Sequence, residues 1–171
     1  MMKPEIELSI PCKRWCEDLP EAPEIVETAC RAALGAGESV WGGTAPETVE
    51  VSIVLADDDT VHALNRQYRG IDKPTNVLSF PIEAVPFEDS EAGSGAPVLL
   101  GDVVLGFETV KREAELADKP LGHHVSHLIV HGVLHLLGYD HETDSDAAEM
   151  EPLETAILER LNIPDPYAIA D

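Results

Sequence analysis

The chain has 171 residues, 44% hydrophobic and 26% charged, enough to build one buried core in a single domain spanning 1–171. That composition excludes the disordered and fibrous classes. Lys and Arg number 11 against 33 Asp and Glu, and the resulting net charge of −22 excludes a general polyanion binder, whose affinity comes from cations neutralising phosphates.

Three cysteines, Cys12, Cys16 and Cys30, are odd in number and lack CxxC spacing. They read as reduced structural thiols of a cytoplasmic protein. The longest apolar candidate for a membrane span, Leu128 to Leu137, contains His131 and His135 and is too short, so no membrane partner is expected.

Glu5 to Ile10 alternates polar and apolar residues, the period of a half-buried strand. Pro23 to Leu34 carries Ile25, Val26, Ala29, Ala32 and Ala33 at helical spacing, with Gly35 and Gly37 as stop signals. Residues 38–46 read as a loop, and the β-branched run Val49 to Leu55 as a strand. Asp57 or Asp58 caps a helix over Thr60 to Tyr68 that Gly70 closes. Thr75 to Phe80 is a brief strand ended by Pro81, and 83–97 is a surface loop. Val98 to Phe107 is a strand interrupted at Gly101 and Asp102, followed by a helix over Glu108 to Ala117. A helix from His123 to Leu137 stops at Gly138, and an acidic helix spans Asp144 to Leu161. Strands weighted to the first half and helices to the second predict one α+β domain with a small mixed sheet packed by helices.

Six of the seven histidines fall between positions 123 and 141. His131 and His135, four apart on a helix, project from one face and can bind one ion. Gly138 can adopt the left-handed backbone that turns the chain back and brings His141 to the same ion. Three neutral imidazoles suit one Zn²⁺, and a three-ligand site keeps its fourth position for water or substrate. His124 and His127 extend the stripe backward and read as an exposed helix face, the alternative being partners that orient a ligand or a weak further ligand. Asp140 either orients an imidazole or caps the next helix.

The His-x3-His-x2-Gly-x2-His spacing is also that of metzincin proteases, which need Glu directly after the first His as general base. Here that residue is Gly132, which argues against peptide hydrolysis.

The run from His131 to His141, HGVLHLLGYDH, resembles the signature of the bacterial YbeY family of metal-dependent endoribonucleases, also called rRNA maturation factors. Two further blocks support the resemblance: Leu64 to Gly70 (LNRQYRG) with Asp72 to Pro81 (DKPTNVLSFP), and Leu100 to Val104 (LGDVV). Together they cover about residues 50–161. The resemblance implies a zincin-like fold with the metal site on the histidine helix, and one zinc on His131, His135 and His141. It implies cleavage of single-stranded RNA, maturation of the 3′ end of small-subunit ribosomal RNA, and ribosome quality control. The partners it implies are a ribosomal RNA precursor, a small-subunit ribosomal protein and an Era-type GTPase.

Arg69 matches the family's functional arginine, and with Lys73 beside it is read as substrate-binding; Arg69 is also the catalytic candidate. A phosphodiester needs a nucleophile and a group to stabilise charge on phosphate. Zinc supplies the first by lowering the pKa of water to about 7. A guanidinium supplies the second through its planar fork of donors. Arg66, Arg69, Lys73, Lys111, Arg112 and Lys119 are expected to converge on a basic cleft beside the metal, against a mixed solvated surface. Beyond Asp140 the only Lys or Arg is Arg160, and the acids there read as a solvated helix face. Trp15, Trp41 and Tyr139 are assigned to packing before base stacking. The remaining rival is a ribosome-assembly adaptor in which zinc is structural and catalysis is weak.

Overall fold

Strand β1 (Lys3–Ser9) is followed by helices α1 (Arg14–Asp18) and α2 (Ala22–Ala36), then β2 (Thr48–Ala56) and α3 (Asp58–Arg69). Strands β3 (Val77–Pro81) and β4 (Val98–Gly106) come next, then helices α4 (Phe107–Leu116), α5 (Leu121–Leu136) and α6 (Asp144–Arg160). The computed structural model describes residues 3–36, 48–82, 98–139 and 144–167, with 144–149 as backbone alone. The loops expected at 38–46 and 83–97, together with Trp41, Asp140 and His141, lie outside the described residues.

The sheet order is β1-β2-β4-β3, with β1, β2 and β4 parallel and β3 antiparallel to β4. It is mixed, as expected for this α+β domain. Alternation along β2 sends Val49, Val51, Ile53 and Leu55 into one core with Val26, Ala29, Cys30, Ala33 and Leu34 of α2 and Val125, Ile129 and Val133 of α5. Each fully buried Val or Ile there stabilises by roughly 1.5–3 kcal/mol relative to exposure. On the opposite face, Ala56, Val61, Leu78 and Val104 form a smaller cluster that seats α3.

Asp57 is the cap of α3: its Oδ1 accepts from Thr60 N–H at 2.9 Å, a contact typically worth about 1 kcal/mol. Asp58 does different work. Its carboxylate accepts from Thr109 N–H at 3.0 Å and Thr109 Oγ1–H at 2.7 Å, while Glu108 Oε2 accepts from Asp58 N–H at 2.8 Å. The N-termini of α3 and α4 therefore cap each other across the fold. Gly70 ends α3 in the left-handed region at φ 70°.

Helix α1 has no counterpart in the sequence expectations. Five residues cannot hold a helix by propensity, so tertiary packing supplies the stability. The fully buried Trp15 anchors it, with the indole donating to Ala56 O at 2.8 Å and standing edge-on to Phe107 at 5.1 Å. Trp15 is thus a packing residue, as read from composition.

Two glycines set how closely the layers approach. Gly101, at φ +138°, sits where β4 slips one residue against β2, and a Cβ there would lie 2.2 Å from Phe80 O of β3. Gly132 lets α5 press on the sheet, since a Cβ would lie 2.7 Å from Val103 Cγ1 and 3.2 Å from Ser79 Oγ. Gly132→Ala is expected to cost about 1–3 kcal/mol by overpacking. In urea unfolding, combining it with Val103→Ala should cost less than the two single changes summed, because the second makes room for the first.

Cys16 is exposed, whereas Cys12 and Cys30 are buried, and burial pushes the Cys30 thiol up to about 12. One of the three thiols, Cys16, should react with a thiol reagent in the native protein, and the others only under denaturant. Equal reaction rates for all three would contradict this packing.

Candidate metal centre

Helix α5 is enclosed by α2, α4, α6, β3 and β4, and its apolar residues Val125, Leu128, Ile129, Val133, Leu134 and Leu136 are buried. His131 and His135 occupy the one edge of its second half that meets an open cleft. The cleft encloses about 530 Å³ and is lined by Arg69, Thr75, Asn76, Val77, Ser79, Pro81, His131, His135, Gly138 and Tyr139. Its far wall is β3 and the chain leading into it, tied to α5 by Ser79 Oγ–H donating to Gly132 O at 3.2 Å.

His131 and His135 point toward each other. Their Nε2 atoms lie 3.2 Å apart and their rings stand nearly perpendicular with centroids at 4.7 Å. Two nitrogens on one tetrahedral zinc, each at roughly 2.0–2.1 Å, must sit about 3.3 Å apart. The spacing of the pair thus matches that of two ligands on one ion. The backbone at Gly138 has φ +105°, the positive value that turns the chain out of the helix.

The other ring nitrogen of His131 meets a carboxylate that the sequence reading treated as part of a solvated face. Glu154 of α6 is fully buried, and its Oε1 lies 2.5 Å from His131 Nδ1. Its Oε2 lies 3.2 Å from His127 Nε2 and also accepts from the Tyr167 hydroxyl. Burial pushes the Glu154 carboxyl up, but hydrogen bonds from His127, His131 and Tyr167 outweigh it and hold it at about 2. An ionised carboxylate only accepts, so both imidazole nitrogens facing it donate. His131 meets the carboxylate through Nδ1, so Nε2 is the ring nitrogen that faces His135. Burial and the neighbouring carboxylate push the Tyr167 phenol up, so it remains a donor.

His127, His131 and Glu154 bring their ligand atoms within 4.8 Å of one another and could bind a metal as a group. The reading of His124 and His127 as an exposed face is overturned. His124 is buried, its Nε2 2.9 Å from Glu113 Oε1, and burial lowers its pKa against the pull of Glu113, favouring the neutral ring. His127 is mostly covered and belongs to the Glu154 cluster. A signal for Glu154 existed, since Met150, Glu154, Ile157 and Leu158 follow helical spacing and put a charge on an apolar stripe. Tyr167 carried none.

Arg69, at the C-terminal end of α3, donates through Nη2 to Ser79 O at 2.9 Å and packs over the Phe80 ring at 5.9 Å. One of five donors is thus spent on holding the guanidinium at the cleft. Lys73 is exposed on the loop after α3, where its carbonyl accepts from Asn65 Nδ2–H at 2.9 Å, and it does not line the cleft. The expected convergence of six basic residues is not what the chain builds. Of the six, only Arg69 lines the cleft, and Lys111 pairs with Asp18 at 2.7 Å. Tyr139 does line it, half-buried against the core.

A family model described as Endoribonuclease YbeY matches residues 24–162. The chain belongs to the YbeY endoribonuclease family. A curated relative named Endoribonuclease YbeY from Paramagnetospirillum magneticum is 53% identical over 163 residues, covering 95% of each chain. Another from a Bradyrhizobium species is 47% identical over 165 residues, covering 96% of this chain and 93% of the relative. A solution structure of a Thermotoga maritima protein superposes with a TM-score of 0.56 at 25% identity, covering 96% of this chain and all of the other. The family places its members among nucleases that hydrolyse RNA, and the resemblance read from the three sequence blocks is borne out.

Because the Arg69 side chain is exposed and bonds only through its tip to a backbone carbonyl, Arg69→Ala should change unfolding free energy by less than about 1 kcal/mol. Denaturant titration checks this, and a larger loss would make Arg69 a structural residue.

Proposed function

We propose that this chain is a zinc-dependent endoribonuclease that cuts single-stranded RNA and matures the 3′ end of small-subunit ribosomal RNA, contributing to ribosome quality control. The observation that carries the proposal is the convergence of the His131 and His135 Nε2 atoms at 3.2 Å in the same cleft as Arg69. His131, His135 and His141 would hold the ion, His141 following the positive-φ turn at Gly138. A small-subunit ribosomal protein and an Era-type GTPase are the proposed partners, and the cytoplasm the proposed compartment. Among the described residues no helix is long and apolar enough to cross a membrane.

His131, His135 and His141 would hold the zinc, whose chemistry when bound would be that of a Lewis acid able to acidify water and polarise a phosphoryl oxygen. The side chains do the rest. His131 and His135, fixed on a buried helix, hold their nitrogens at the spacing the ion requires. Arg69 lines the cleft, where a guanidinium can engage two phosphate oxygens as charge builds on them. Anchoring to Ser79 O and Phe80 preorganises that group, so less side-chain entropy is lost on binding. A protease reading fails on the same geometry: the Gly132 position that would need Glu is pressed against Val103 and Ser79 and has no room for a side chain.

Cleavage of a labelled single-stranded RNA from the small-subunit 3′ region should be lost in His135→Ala, along with bound zinc. Arg69→Ala should keep zinc and lose about 10²–10³-fold in rate, the size of one removed charge-stabilising donor. Equal cleavage by wild type and His135→Ala, purified identically, would overturn the proposal, and cleavage by neither would favour the adaptor.

A further inference from the structure

Glu154 is a fully buried acidic side chain that no step of the chemistry above requires. A buried charge is costly, and replacing one by an apolar residue of similar volume is often neutral or stabilising. A merely structural role would not need a carboxylate here. What this one touches is specific. Oε1 receives His131 Nδ1–H, and Oε2 receives both His127 Nε2–H and the Tyr167 hydroxyl. Tyr167 is itself anchored: its N–H donates to Asp165 Oδ1 at 2.8 Å, and Thr155 Oγ1–H donates to the same oxygen at 3.2 Å. Its ring stands edge-on to that of His127 at 5.5 Å. The segment after α6 is thereby folded back onto the carboxylate.

The His131–Glu154 distance also discriminates between two uses of the cluster. Two ligand atoms on one zinc ion lie about 3.3 Å apart, close to the His131–His135 spacing, whereas His131 Nδ1 and Glu154 Oε1 are in direct hydrogen-bond contact. The ion's place is then on the Nε2 side, and Glu154 acts through the ring.

We propose that Glu154 is a positioning residue for the metal centre, clamped by Tyr167 and His127. It holds His131 in the tautomer that leaves Nε2 bare and makes that nitrogen a stronger ligand. This rests on the reading that the ion sits on His131 and His135. If Nε2 carried the proton, it could not bind the ion, and the pair at 3.2 Å would be useless as a site. His127 serves the clamp with its Nε2–H, and among the described residues its buried Nδ1 meets no donor. Tyr167, 41% exposed, is the one member that can be changed without opening the core.

The test is zinc affinity of the metal-free full chain, read by competition with a chromophoric chelator, alongside its melting temperature in excess chelator. Glu154→Gln should weaken zinc about 10–100-fold. Tyr167→Phe should weaken it about two- to tenfold, the size of one net hydrogen bond, with the melting temperature of the metal-free form unchanged. A simple structural role for Tyr167 would do the reverse, lowering the melting temperature and leaving affinity alone. If Glu154→Gln does not fold, Tyr167→Phe carries the test. Wild-type affinity in Tyr167→Phe and Glu154→Gln, with zinc lost in His135→Ala, would overturn the clamp and leave the metal reading standing. Equal affinity in wild type and His135→Ala would overturn the metal reading itself.

Discussion

The close contact between α5 and the sheet at Gly132 governs the rest of the architecture. A residue with any side chain there would meet Val103 and Ser79, so glycine lets the helix settle against β4 and β3. That contact fixes the rotation of α5 about its axis. Once Gly132 and Val133 face inward, His131 and His135 are left on the edge that borders the cleft, and His127 on the side that meets α6. The bond from Ser79 to Gly132 O ties β3 to the same point, so Ser79 serves both walls of the cleft. Its carbonyl also holds Arg69.

The treatment of charge follows from a chain with three acids for every base. Several cations are committed to carboxylates: Arg14 to Glu108, Arg31 to Glu27 and Lys111 to Asp18. These pairs are partly exposed and contribute modestly to stability. Arg69 alone among the basic side chains lines the cleft, and it is bonded to a neutral carbonyl, which leaves its full charge available to an anion. Arg69 is thus the one Lys or Arg that this cleft presents, in a protein whose overall field repels polyanions. That field disfavours non-specific binding of polyanions.

Most elements were legible as periodicity. The alternation at Glu5 to Ile10 and the β-branched run at Val49 to Leu55 appear as β1 and β2, and the Asp57 cap with the Gly70 stop bounds α3 as expected. Helix α1 was not legible, because nothing within five residues stabilises it and Trp15 reaches forty-one residues along the chain for its hydrogen bond. The meeting of His131 and His135 on one helix face was legible because i, i+4 spacing is a local pattern within one helical turn. Glu154 was not read, because an acid in an acidic helix looks solvated until the partner helix is known. Lys111, read as part of a basic cleft, pairs with Asp18 because α1 happens to lie beside α4.

The sequence by itself determined the family, the order of the elements and which imidazoles share a helix face, since these depend on spacing along the chain. Tertiary structure alone decided that β1, β2 and β4 run parallel, that α1 exists, that of the six basic residues expected at the cleft only Arg69 lines it, and that Glu154 and Tyr167 stand behind His131. Each of those depends on which surfaces bury each other, and burial joins residues that no local pattern connects.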